Sequence, residues 1–238
     1  MNYEALTNYV TSTPLVWLIL TLGSFKLGII VYEKFNKHTL LQPIIVAYTI
    51  IMSVLFISGV SYEQYFKGVE IIHFFLGPAT VALALPLYNN FKYIKSLFIP
   101  IMITLIVAGI FSILIAVILL WALDAQLPTI LSMTTKSITA PIAIITSEQI
   151  GAIPSLAVGF VIITGIIGAL LGTSIFKFLK IKHDTSKGFA LGLVSHGIGT
   201  ARAIEISEKA AAFSALAMGL SGIFTAVFLP LIIQFLKG

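Results

Sequence analysis

Two short stretches of this chain carry polar groups that could do chemistry inside otherwise apolar sequence. The first is Lys136-Ser137-Ile138-Thr139-Ala140-Pro141-Ile142-Ala143. Threonine is a good helix N-cap and proline suits the first helical turn, so a half-helix is expected to start near Thr139 or Pro141. The unsatisfied amides and positive dipole at such a start attract anions. Lys136, just ahead of it, adds a full charge of the same sign. The second stretch is Ser195-His196-Gly197-Ile198-Gly199-Thr200-Ala201-Arg202. Gly197 and Gly199 permit left-handed backbone and leave amides exposed. Thr200 is expected to cap a second half-helix running toward Glu205. His196 can donate a hydrogen bond to a carboxylate or move a proton near neutral pH. Two helix starts, each beside polar or cationic side chains, describe a site for a small anion. The candidate binding residues are therefore Lys136, Ser137, Thr139, Pro141, Ser195, His196, Gly197, Gly199 and Thr200. Thr80, Glu148, Arg202 and Glu205 are secondary candidates.

Plainer roles compete for some of these residues. Arg202 can pair with Glu205 three residues on. Glu148 and Glu208 suit the membrane–water interface. Gly165, Gly168 and Gly172 suit close helix packing. His38, His73 and His183 sit at the ends of apolar runs and are assigned no role.

The elements that must position the two stretches are membrane helices. Of 238 residues, 58% are hydrophobic and 10% charged, and the mean hydropathy is +1.07. Soluble domains carry about 25% charge. A span needs about 20 apolar residues, because about 30 Å of hydrocarbon divides by 1.5 Å per residue. Such runs are expected at 14–32, 40–60, 97–121, 155–178 and 211–236. A further run at 71–88 is interrupted by Gly77-Pro78 and Pro86, and is expected to be bent or broken. Lys26, inside the first run, is expected to snorkel or to face the bundle. The segments 127–150 and 188–205 are too polar for plain spans. The predicted fold is thus all-α and polytopic, with about six full spans and two broken or re-entrant segments, giving six to eight crossings of a single transmembrane domain.

Charge gives the topology. The net charge is +5, with the lysines gathered in the joints 33–38, 89–96 and 177–187. By the positive-inside rule these joints are cytoplasmic, which places the N-terminus on the outer side of the membrane. The N-terminus does not read as a cleaved signal peptide. With that topology, 127–150 must leave and return on one side. A shift of 59 residues aligns Thr80 with Thr139, Ala84 with Ala143, Ser96-Leu97 with Ser155-Leu156 and Gly109 with Gly168, which would make 71–121 and 127–178 candidate halves of an inverted repeat. A second echo relates Thr139–Glu148 to Thr200–Glu208.

The exclusions are equally informative. The chain has no cysteine, so disulfides and thiolate chemistry are absent. It shows no G-x-S-x-G, H-E-x-x-H or Walker A motif, and it is expected not to be an enzyme. No resident cofactor or metal is expected, and a coupling proton or cation stays an open choice. No face collects the basic residues, so a nucleic-acid partner is not expected.

At its polar segments the chain resembles the LrgB/CidB family of bacterial membrane proteins. The resembling stretches are 77–88, Lys136–Ala143, Gly188–Gly192 and Ser195–Ala201. The likeness runs from about Tyr32 to the C-terminus. Two departures stand out: Thr135 where the family commonly has proline before Lys-Ser, and Arg202 where it often has lysine or a small residue. The resemblance implies two roles. One is antiholin-like control of murein hydrolase activity and cell lysis, with a small LrgA/CidA-type membrane partner. The other is carriage of small monocarboxylates of the pyruvate, glycolate or glycerate type. Paired broken helices suit the carrier better, by alternating access. A homo-oligomer such as a dimer, embedded in the lipid bilayer, is also expected.

Overall fold

A computed structural model describes residues 13–35, 41–82 and 84–237. The N-terminal residues and the basic joint at 36–40 lie outside this set. So do the side chains of His73 and Thr80. Among the described residues the ordered elements are helices, as expected. The chain divides into two compact units, Met1–Ala82 and Leu83–Gly238.

The first unit is built on an antiparallel pair, α1 (Pro14–Lys34) and α2 (Pro43–Ser58). Each opens with proline in its first turn. Gly28 of α1 faces Pro43 so closely that a Cβ there would sit 2.6 Å from the Pro43 carbonyl oxygen. At the other end Trp17 packs with Leu55, Tyr65 and Val69. Tyr65 belongs to α3 (Tyr62–Gly68), which Ser61 caps by accepting from the Gln64 amide. Its hydroxyl lies 2.9 Å from Thr21 Oγ1. Lys26 is exposed, in keeping with snorkelling. The interrupted run begins in this unit as α4 (Glu70–Ala82), with Pro78 inside it.

The second unit contains the remaining helices. Short α5 (Ala84–Asn89) and α6 (Phe91–Ser96) lead into α7 (Phe98–Ala122). Then come α8 (Leu127–Thr134), α9 (Ala140–Ile150), α10 (Pro154–Phe178), α11 (Asp184–Ile204) and α12 (Glu208–Lys237). Four described helices are long and apolar enough to cross a membrane: α1, α7, α10 and α12. The expected second span is shorter than predicted, because α2 has only 16 residues.

Both polar segments are helical hairpins that enter the unit and turn back. In the first, α8 descends to a turn at 135–139 and α9 returns. Ser132 Oγ accepts from the Ile153 amide at 3.0 Å, which ties the outgoing leg to the end of the return. In the second, α11 is one helix by hydrogen bonding but breaks at His196, whose φ is 40° and ψ −125°. Leu191 and Ala203, on either side of the break, share one cluster with Phe176 and Ala210. Ser207 lies beside Asp184, so the chain leaves the hairpin where it entered.

The hairpins enter from opposite ends. Leu131 and Ile150 pack on Leu229, near the end of α12. Gly188 and Gly192 pack on Ala210 and Ser214, near its start. The expected re-entrant character of 127–150 is therefore present, and the open choice at 188–205 resolves the same way. Each hairpin is followed by a long helix, α10 or α12, and these two run antiparallel.

Candidate functional site

The tip of the first hairpin holds Lys136 and Ser137. Helix α9 begins at Ala140 with Thr139 as N-cap residue and Pro141 in its first turn, as expected, although the Thr139 side chain makes no capping hydrogen bond. Lys136 is half-buried. Its Nζ donates to Ser112 Oγ at 2.6 Å and to Ser137 Oγ at 3.1 Å. Among the described residues no carboxylate pairs with it.

These groups line a cavity of about 410 Å³ between α7, the first hairpin, α11 and α12. Ser112, Ser137, Ser221 and Thr225 are on its wall, and most of the rest is apolar. Ser221 and Thr225 stand four residues apart on one face of α12, and Ser221 Oγ donates to the Ser137 carbonyl at 3.3 Å. A lone ammonium with several hydroxyls around it can hold one small anion by charge-assisted hydrogen bonds. No group of histidine and acidic residues able to hold a metal occurs among the described residues.

The tip of the second hairpin faces elsewhere. His196 is 5% exposed, and its Nε2 lies 3.0 Å from the Val161 carbonyl oxygen. Val161 also packs with Ile138 and Ala143 of the first hairpin. The two breaks therefore meet at one point on α10, but from different sides. Of α11, only Leu193 and Val194 reach the Lys136 cavity. Ser195, His196, Gly197, Gly199 and Thr200 do not line it.

Three expectations about this second tip change. The left-handed backbone falls on His196 rather than on Gly197 or Gly199. Gly199 is needed for space instead, since a Cβ there would lie 2.2 Å from the Leu191 carbonyl oxygen of the other leg. Thr200 is not a cap, because the break comes four residues earlier. Its Oγ1 bonds the His196 carbonyl at 2.8 Å and meets Ser214 Oγ at 2.9 Å. Ser195 Oγ is buried without a hydrogen-bond partner, and it fills the space a side chain at Gly168 would need. Of the secondary candidates, Arg202 pairs with Glu205 as expected. Glu148 is exposed.

The His196 conformation makes a test. A non-glycine residue held at such φ and ψ costs about 1–3 kcal/mol. His196→Gly relieves that strain and His196→Ala does not, although both lose the bond to Val161. His196→Gly should therefore be more stable than His196→Ala by about 1 kcal/mol in detergent unfolding. Equal stability would mean that the turn at 196 is unstrained.

Ser112, Ser221 and Thr225 escaped the sequence reading. The available signal was thin: Thr104 and Ser112 are the only hydroxyls in the 25 residues of α7.

The family model described as the LrgB-like family matches residues 21–235. The antiholin-like protein LrgB of Bacillus subtilis (strain 168) is 33% identical over 228 residues, covering 96% of this chain and 99% of its own length. The antiholin-like protein LrgB of Bacillus cereus (strain B4264) is 31% identical over 226 residues, covering 95% of this chain and 98% of its own. The protein of the same name from Bacillus anthracis (strain CDC 684 / NRRL 3495) is also 31% identical. No solved structure matches the chain.

Proposed function

This multi-pass membrane protein belongs to the LrgB-like family, and from that premise we propose that it carries a small monocarboxylate, of the pyruvate, glycolate or glycerate type, across a bacterial cell membrane. The observation that carries this reading is Lys136: a cation with no carboxylate partner among the described residues, facing a cavity among hydroxyls. A lysine at membrane depth costs about 2.5–3.5 kcal/mol on insertion scales. A residue placed there at such a cost is best explained by an anion that uses it. The carboxylate accepts from Lys136 Nζ, while Ser112, Ser137, Ser221 and Thr225 offer hydroxyls to the rest of the molecule. Two hairpins entering from opposite ends suit alternating access, since rocking one against the other exposes a fixed midplane site to each side in turn. The lysine-rich end is cytoplasmic in this reading, and the N-terminus is outside.

A second reading rests on the relatives' shared printed name. In it the chain acts as an antiholin-like protein, tempering murein hydrolase activity and lysis together with a small LrgA/CidA-type membrane partner. The two readings are compatible if carriage of an anion is what changes lysis in cells.

Purified protein in liposomes, given labelled pyruvate, glycolate and glycerate, separates them. A carrier shows uptake that saturates with substrate and excludes large dyes. Escape of large dyes, or uptake of none of the three acids, removes the carrier reading. Retention of the small partner on purified protein, together with restored lysis control on co-expression, would then support the second.

A further inference from the structure

A second cavity, of about 520 Å³, lies on the other half of the α7–α11 seam. Its mouth is formed by Tyr93, His183, Thr185 and Ser186, at the start of α11. From there it runs along both helices to Ala108 and Val194. The eleven residue steps from 183 to 194 span about 16 Å. That is close to one leaflet of a hydrocarbon core about 30 Å thick. Pro100, Thr104 and Ala108, four residues apart, form the α7 wall. Pro100 and Thr104 are exposed, so the slot opens sideways. Phe189 and Phe213 form its buried floor. Among the described residues, no Asp, Glu, Lys or Arg lines it.

The mouth lies in a basic neighbourhood. Lys92 and Lys95 are exposed on α6, and Lys182 is exposed beside His183. Lys209 Nζ stands 5.3 Å from the centre of the Tyr93 ring. The nearby acids are occupied: Asp184 accepts from Lys187 at 2.9 Å, and Glu208 accepts from Asn89 at 3.0 Å. Lys187, with Ser207, holds the Asp184 carboxyl below the usual carboxylate range.

We propose that this slot binds one acyl chain of an anionic phospholipid, with the headgroup held among the lysines at its mouth. A small carboxylate does not fit the interior, which would strip its charge of water without returning a hydrogen bond. An amphiphile does, because its charge stays at the mouth and its methylenes replace water or void along the wall. The proposal rests on the slot and its mouth, and does not depend on what the Lys136 cavity carries.

The test is native mass spectrometry of the full chain, equilibrated with equal amounts of phosphatidylglycerol and phosphatidylcholine bearing the same acyl chains. Retention of one phosphatidylglycerol, favoured over phosphatidylcholine by about tenfold, is expected for one or two lysines acting near the headgroup. Thr104→Trp fills the slot from an exposed position and should remove retention of both lipids. Lys182→Glu with Lys209→Glu, on the surface, should erase the headgroup preference while a chain is still retained. Equal retention of the two lipids, or phosphatidylglycerol retention indifferent to Thr104→Trp, means bulk lipid around the protein and overturns the site.

Discussion

Lys136→Met is expected to cut carboxylate uptake by roughly 10–100-fold while leaving the folded protein as stable as before, or more so. The two effects have opposite signs for one physical reason. Removing an ammonium from the bilayer interior relieves about 2.5–3.5 kcal/mol of insertion cost. Its partners among the described residues are the Ser112 and Ser137 hydroxyls, which lose modest hydrogen bonds, with no carboxylate among them to be orphaned. The substrate loses a charge-assisted bond worth about 1.5–3 kcal/mol, so uptake should fall by roughly 10–100-fold. Thermal unfolding in detergent, read beside initial uptake rates in liposomes, separates the effects. Lys136→Arg keeps the charge but changes the donor geometry, and should leave partial uptake. Uptake by Lys136→Met within about twofold of the wild type would remove Lys136 from the transport site.

Gly192→Leu is expected to prevent the second hairpin from packing at all. A Cβ at Gly192 would lie 2.1 Å from the Ser214 carbonyl oxygen, and one at Gly188 would lie 2.1 Å from that of Ala210. In both cases the obstacle is the backbone of α12, which cannot rotate away as a side chain can. Overpacking usually costs about 1–3 kcal/mol because side chains give way. Here whole helices must separate, and the loss should exceed about 4 kcal/mol. Ala212 and Ala217, on the helix that would move, are fully buried, so separation would open their contacts as well. Size-exclusion profiles of the expressed protein should show aggregate in place of the wild-type peak. Gly159→Ala is the control: nothing lies within 4 Å of its Cβ position, and alanine should gain up to about 1 kcal/mol of helix propensity. A folded, wild-type-like Gly192→Leu would mean that α11 and α12 are not in this register.

The sequence is informative about which segments cannot be ordinary spans. Pro141, with Lys136 and Thr139 ahead of it, announces a helix start at a depth where a continuous helix would need none. That start lies where expected, at Ala140. The second break was legible only as a region. Gly197 and Gly199 attract attention because glycine tolerates left-handed backbone, yet the turn falls on His196. The reason is tertiary: Gly199 must lie flat against Leu191 of the opposite leg, so the reversal has to finish before it.

Composition, charge placement and proline position by themselves determine a helical membrane protein with two interrupted segments, because these properties act within about one turn or one span of the chain. The sequence also marks Lys136 as an expensive residue in search of a reason. Tertiary structure alone decides which groups share a cavity. Ser112, Ser221 and Thr225 join Lys136 because α7 and α12 pass the first hairpin tip, and the rotation of each helix about its axis turns those hydroxyls inward. His196, equally polar and equally central, is turned onto Val161 instead. Which way a helix faces depends on what packs against it from far along the chain, and no local pattern in residues 195–202 contains that information.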